Sequence, residues 1–131
     1  MEHIQKIWGT RSRILLDDCN EIDLLQLKKN TFCSKHTHKE KINTFVLVSG
    51  KVRIETELGN HILNPNNEWT VYPTIKHRFV VLEDSVMLEL AFVRDGTIDE
   101  NDINRESLGG RIIDGVELTI DDLKAKGLLN L

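Results

Sequence analysis

Cysteine is scarce in this chain. Cys19 and Cys33 are the only two in 131 residues, too few for a disulfide framework, and such a pair fits reduced thiols in a cytoplasmic setting. A basic surplus is also missing: 17 Lys and Arg stand against 21 Asp and Glu, a net charge of -4. Duplex nucleic-acid binders carry a clustered basic excess, so no nucleic-acid partner is expected. The longest apolar stretches, at 44–48 and 86–93, fall far short of the roughly 20 residues of a membrane helix, and no membrane partner is expected. The opening Met-Glu-His-Ile-Gln-Lys has no apolar core of a secretory signal. Aromatic residues make up only 5%, and the chain shows neither internal repeats nor low-complexity tracts. What is present suits one acidic domain over residues 1–131, long enough to bury roughly two-thirds of the surface its unfolded chain exposes.

Short runs rich in Val, Ile, Leu, Thr and Phe predict strands at 13–17, 22–27, 32–36, 44–48, 51–57, 69–72, 77–82 and 86–93. Turn chemistry separates them: Asp17-Asp18-Cys19-Asn20, Ser49-Gly50, Gly59-Asn60 and Asn64-Pro65-Asn66-Asn67. Gly59-Asn60 reads as the turn of a hairpin. Many short strands at even spacing point to an all-β sandwich or barrel, with a barrel core over about 11–94. The pattern changes over 95–131. Residues 95–110 are polar and turn-rich, and 119–126 predict a short helix, with Thr119 as N-cap, Asp121 and Asp122 in the first turn and Gly127 beyond its end.

His36-Thr37-His38 places two imidazoles at i and i+2. On a strand these share one face, roughly 7 Å apart, where they can chelate a divalent metal if a third group arrives from another strand. A polar surface pair is the plain alternative. Cys33 falls on the opposite strand face from residues 36 and 38, which makes it a small buried apolar residue rather than a thiolate ligand. His3 in a frayed terminus and His61 beside a hairpin turn read as solvated. Phe45, Leu47, Phe79 and Val81 read as barrel core, and Arg78 as pointing away from His77.

Taken together, His36, His38, Asn43 and Gly50, followed by Tyr72-Pro73-Thr74-Ile75-Lys76-His77, resemble the two motifs of the cupin superfamily. Those motifs run His-x-His, three or four residues, Glu, six residues, Gly, and later Pro-x-Gly-x-x-His. Asn43 stands in place of the usual Glu, Thr74 in place of the Gly and Tyr72 in place of the Pro. The resemblance implies a double-stranded β-helix, or jelly-roll barrel, with a short C-terminal helix. It also implies a divalent metal at the barrel mouth: His36, His38 and His77 as ligands and Asn43 in the fourth ligand's place. Zn, Fe, Ni, Co or Mn are the candidate ions, although loss of the carboxylate argues against Mn.

Ile7-Trp8-Gly9-Thr10, the run from Gly96 to Arg105, and Gly109-Gly110-Arg111 are similar to segments of the cupin domain of type II mannose-6-phosphate isomerases. The similarity implies an aldose–ketose isomerase acting on a sugar phosphate. Arg105 and Arg111 would then hold the phosphate, with Lys41 standing where the family has an Arg; surface ion pairing with Asp99, Glu100, Asp102 and Glu106 is the alternative for the two arginines. With Asn43 in the Glu position, Glu40 is the remaining turn carboxylate for proton transfer. Rival readings are a non-catalytic cupin that binds a sugar or sugar phosphate, a three-His metal oxygenase, and a barrel without metal. A homodimer is expected through an edge strand near 13–17.

Overall fold

The computed structural model describes residues 1–129, so the last two residues of the expected 1–131 domain lie outside it. Twelve strands run β1 (Glu2–Lys6), β2 (Gly9–Leu16), β3 (Asn20–Leu27), β4 (Thr31–Phe32), β5 (Lys35–Thr37), β6 (Ile42–Thr56), β7 (Gly59–Leu63), β8 (Glu68–Val71), β9 (His77–Phe92), β10 (Asn104–Ser107), β11 (Gly110–Ile113) and β12 (Val116–Thr119). One helix, α1 (Ile120–Ala125), follows. Every strand pairing is antiparallel.

The long strands β6 and β9 pair over most of their length and hold the sheet together as it curls. The expected strands leave a break in each, at Ser49-Gly50 between 48 and 51, and between 82 and 86. Both strands instead run straight through. Ser49 and Gly50 are absorbed into register shifts between Leu47 and Val52, because extra residues can bulge out of an antiparallel ladder without ending it. The bulges also switch parity: Asn43, Phe45 and Leu47 are buried before them, Val52 and Ile54 after them. One long strand thereby serves two walls of the barrel. The β3 and β8 sides of the barrel join β9 and β6; on the far wall β4 joins β9, followed by β11 and β12.

The core cluster contains Leu25, Leu27, Phe45, Leu47, Val52, Ile54, Phe79, Val81 and Met87. Trp8 closes one end, its ring edge-on to Phe79 at 5.3 Å, the arrangement that ring quadrupoles favour. Arg78, which does point away from His77, clamps the outer wall. Its guanidinium donates to Glu55 at 2.8 Å and to both oxygens of Glu117 at 2.9 and 2.8 Å, above the Phe32 ring.

Several boundaries move. The expected 32–36 strand splits into β4 and β5 around Cys33-Ser34. The hairpin turn is Glu57-Leu58 rather than Gly59-Asn60: Thr56 pairs with Gly59, whose φ of 138° suits glycine at the first paired position. The N-terminus is not frayed, since β1 pairs along its length with β2 and His3 Nδ1 meets Ser12 Oγ at 2.6 Å. Within the expected 13–17 edge, Arg13 is covered by Glu2 of β1, whereas Leu15 and Leu16 pair with β3 alone. The turn-rich segment after Asp95 contributes β10 against β5 and β11 against β4. The helix forms where expected, with a Thr119–Asp122 capping box and Gly127 at φ 66°. Among the described residues, no helix is long and apolar enough to cross a membrane.

Gly50 has φ 90°, and a Cβ there would lie 2.1 Å from Ser85 Oγ and 2.4 Å from the Asp84 carbonyl oxygen. Gly115 has φ 78° with open space around it. Gly50→Ala is therefore expected to destabilise by about 3 kcal/mol, through strain plus a backbone clash. Gly115→Ala adds the left-handed strain alone, about 1 kcal/mol. Urea unfolding at constant m-value measures both.

Candidate metal centre

β5 and the start of β9 build the centre. His36 lies on β5 directly opposite His77, the first residue of β9, and His38 follows two residues after His36. The i, i+2 spacing puts both β5-side imidazoles on one face, and the β5–β9 pairing brings in the third. Ring centroids are 4.8 Å apart for His36 and His38, 4.5 Å for His36 and His77, and 5.5 Å for His38 and His77. One nitrogen from each ring lies within 4.8 Å of the other two.

Hydrogen bonding settles which nitrogens face inward. His36 Nδ1 meets the Ser34 carbonyl at 2.7 Å, His38 Nδ1 the Asp102 carbonyl at 2.5 Å, and His77 Nδ1 the Ile75 carbonyl at 2.9 Å. A carbonyl oxygen only accepts, so each Nδ1 carries the proton and each Nε2 keeps its lone pair. His77 is 3% exposed, and its Nε2 is buried with no hydrogen-bond partner. Burial, then the neighbouring charges of His77 and His38, push His36 down to about 3. Burial brings His77 down to about 4 and lowers His38 as well. Three neutral imidazoles with unprotonated Nε2 atoms, that of His77 without a partner, fit a divalent transition metal.

The other expected site residues divide. Asn43 is 2% exposed at the start of β6. Its Nδ2 donates to Glu89 at 3.1 Å and lies 3.4 Å from His38 Nε2, while Oδ1 is buried without a partner. Lys41 and Arg105 line the same cavity as the three histidines; Arg111 and Glu40 do not. Arg105 sits opposite His36 in the β5–β10 register, whereas Arg111 lies between Leu118 and Thr31. None of the expected ion pairs to these arginines forms. Glu100 pairs with Arg13 at 3.1 Å and Glu106 with Lys76 at 2.8 Å. The Asp102 carboxylate accepts from the backbone N–H groups of Lys39, Glu40 and Lys41 at 2.7, 2.9 and 3.3 Å. Cys33 is buried, with its thiol pushed up to about 12 by burial. It does, however, line the cavity, because the break between β4 and β5 interrupts the strand alternation from which the opposite face was expected.

Three cavity carboxylates were not anticipated: Glu21 and Asp23 on β3 and Glu89 on β9. Once the buried face of each strand is known, their placement follows from parity. Glu21 and Asp23 share parity with the buried Leu25 and Leu27, and Glu89 with the buried Met87 and Ala91. Asp23 is directly opposite Glu89. Burial, a hydrogen bond with Glu21 and the charges of Glu21 and Glu89 push Asp23 up to about 8. Burial and then Glu21 push Glu89 up to about 7. Glu21, against its burial, is held low by the hydrogen bond from Asp23 and by Arg13, whose Nη2 lies 3.4 Å away. The 4.0 Å between Arg13 Nε and Asp23 Oδ1 is too long for a hydrogen bond, and both atoms are buried without one. The cavity these groups share has a volume of about 270 Å³, the size for a small ligand.

Solved structures with this fold are numerous. KdgF from Halomonas sp. has a TM-score of 0.61 at 20% identity, over 66% of this chain and 81% of that one. Oxalate decarboxylase from Bacillus subtilis has a TM-score of 0.66 at 19% identity, with 80% of this chain matching 30% of that one. Streptomyces Pac13, described as a nucleoside dehydratase, has a TM-score of 0.69 at 12% identity over 82% of this chain and 85% of that one. The fold is the cupin double-stranded β-helix. No family model and no curated sequence matches the chain. The particular likeness to mannose-6-phosphate isomerases is therefore not among these matches.

Two outcomes are expected from this centre. Protein purified without chelator carries one divalent ion per chain by elemental analysis, and His77→Ala weakens its retention on the order of 100-fold. In chelator-treated protein the histidines and acids oppose one another. The unfolded chain protonates its imidazoles near 6.5 while folded His36 and His77 stay neutral to about 3 and about 4. That loses stability as pH falls below about 6.5. Folded Asp23 and Glu89 keep protons to about 8 and about 7, against ordinary values of 3.8 and 4.5. That loses stability as pH rises from about 4 to 8. Asp23→Asn should gain stability relative to the natural chain over that rise, as read by urea unfolding. A pH-independent difference rejects the assignment.

Proposed function

We propose that the protein is a metal-dependent cupin enzyme that interconverts the aldose and ketose forms of a small sugar phosphate. The observation that carries the reading is the joint presence, in one cavity of about 270 Å³, of three converging neutral imidazoles and a carboxyl group held near neutrality. His36, His38 and His77 would hold the ion, with Asn43 beside them. Bound there, a divalent ion supplies Lewis acidity toward a carbonyl and its neighbouring hydroxyl.

The chain's own groups supply the rest. Aldose–ketose interconversion removes a proton from one carbon and returns it to its neighbour, so a single carboxyl group that both accepts and gives suffices. Glu89 suits this proton transfer. Its carboxyl is at the cavity wall, Asn43 orients it at 3.1 Å, and its proton affinity sits near 7. The charge of Glu21 behind it opposes ionisation of Glu89 and so favours its protonated form. Arg105 and Lys41 stand at the same cavity to meet the phosphate. The resemblance of Trp8, the run from Gly96 to Arg105, and Gly109-Gly110-Arg111 to type II mannose-6-phosphate isomerases supports mannose 6-phosphate as the first substrate to try. Small molecules also feature among the structural neighbours, which include an oxalate decarboxylase and a nucleoside dehydratase.

A second reading, an iron oxygenase, is favoured by one feature. Asn43 replaces a carboxylate, leaving three neutral imidazoles of the kind that suits ferrous iron. Oxygen uptake with ferrous protein distinguishes it.

Interconversion of mannose 6-phosphate and fructose 6-phosphate by Zn-, Mn- or Co-loaded protein is the test. Glu89→Gln should lower turnover about 10²–10⁴-fold with metal content unchanged. No turnover with any of these ions, or full activity in Glu89→Gln, overturns the reading. Asn43→Glu is expected to raise metal affinity by adding an anionic ligand, measured by competition with a chelator.

A further inference from the structure

Lys6, Arg11 and Arg105 reach the cavity from three strands, β1, β2 and β10. Lys6 pairs with Gly9, and Arg11 is two residues further along β2, so the two cations are diagonal neighbours on one face of the hairpin. Arg105 comes from β10, which lies against β5. The three charges act on one another: partial burial first, then Arg11 and Arg105, hold the Lys6 ammonium below its usual value. Arg105 also bears on His36 and His38, which places this cluster beside the metal centre.

Like charges brought to one concavity repel, and surface cations avoid that by pairing or by spreading into water. Arg13, Arg53, Lys76 and Arg78 each have a carboxylate within 4.0 Å. Among the described residues, Lys6, Arg11 and Arg105 have none, and the Arg11 Nε is buried without any hydrogen-bond partner. Acids are available nearby, but Arg13 engages Glu21 and Glu100, and Asp23 is held in its protonated range up to about 8. In a chain of net charge -4, an unpaired cationic rim around a cavity is a device for attracting an anion.

We propose that Lys6, Arg11 and Arg105 form an oxyanion subsite that takes the phosphoryl or carboxylate group of the substrate, next to the imidazole cluster. This deepens the proposed function by naming the part of the substrate that is recognised, and it moves the anion's main contacts to the N-terminal hairpin. Arg111, outside the cavity, has no part in it. Arg11 and Arg105 supply planar, forked donors suited to two oxygens at once, and Lys6 a point charge.

The experiment titrates inorganic phosphate, and separately acetate, into the full chain by calorimetry at constant ionic strength, in metal-loaded and in chelator-treated form. Binding is expected in both forms, since the subsite does not need the ion. Lys6→Gln, Arg11→Gln and Arg105→Gln should each weaken it about tenfold with melting temperature and metal content unchanged. Lys6 and Arg105 are exposed, so their variants keep the test valid if Arg11→Gln folds poorly. Tighter phosphate than acetate marks a phosphoryl subsite, and the reverse order a carboxylate subsite. Binding that appears only with metal, or that none of the three variants weakens, overturns the proposal while leaving the metal centre intact. Phosphate binding retained in metal-free His77→Ala supports the subsite even if the isomerase reading fails.

Discussion

The imidazole cluster depends on three hydrogen bonds from Nδ1 to backbone carbonyls of Ser34, Asp102 and Ile75. A free imidazole exchanges tautomers and rotates; one tied to a carbonyl does neither, so its second nitrogen becomes a fixed acceptor. Two of the carbonyls lie two residues before their own histidine, within the segments leading into β5 and β9. The third is distant in sequence, and Asp102 secures it twice. Its carbonyl receives His38, and its carboxylate gathers the N–H groups of the 39–41 turn. The segment between β9 and β10 is thus part of the centre and not merely an appendage to the barrel.

Around that cluster the barrel interior is unusually mixed. Inward positions that elsewhere hold Leu25, Leu47 and Met87 hold Glu21, Asp23 and Glu89 at the cavity end. Buried carboxylates facing each other across a ladder are unfavourable if all are ionised. Here they share protons, hydrogen-bond and lean on Arg13, and two of the three proton affinities rise into the neutral range. Acid–base chemistry near pH 7 requires such displacement. The outer apolar residues of β9, Val86, Leu88 and Leu90, are by contrast only half-buried, so hydrophobicity alone points to the wrong face of this strand.

Local signals in the chain proved uneven guides. The capping box at Thr119 and the helix after it depend on neighbours within four residues, and both form as read. The apolar strands of the barrel were legible for the same reason, but β1, β10, β11 and β12, which depend on partners distant in sequence, were not. Strand continuity was not: Ser49-Gly50 resembles a turn, and only the long pairing with β9 turns it into a bulge. Gly59-Asn60 likewise resembles a turn, yet cross-strand pairing of Thr56 with Gly59 moves the reversal two residues earlier. Cys33 was placed by alternation along a strand that the structure interrupts. Arg105 and Arg111 look equivalent as arginines in one polar segment, but the β10–β5 pairing carries one to the cavity and β11 carries the other away.

The amino-acid order by itself determined the apolar strands of the barrel, the small helix, and the shared face of His36 and His38, because each follows from backbone periodicity over a few residues. The resemblance of His36, His38, Asn43 and His77 to the cupin motifs also singled out residues that meet. Only the tertiary structure decided that Glu21, Asp23 and Glu89 join them, that Lys6 and Arg11 reach the same cavity from the N-terminal hairpin, and which cations find carboxylate partners. Those outcomes depend on ladder register between strands distant in sequence and on the depth at which each charge comes to rest. Neither is encoded in any short window of the chain.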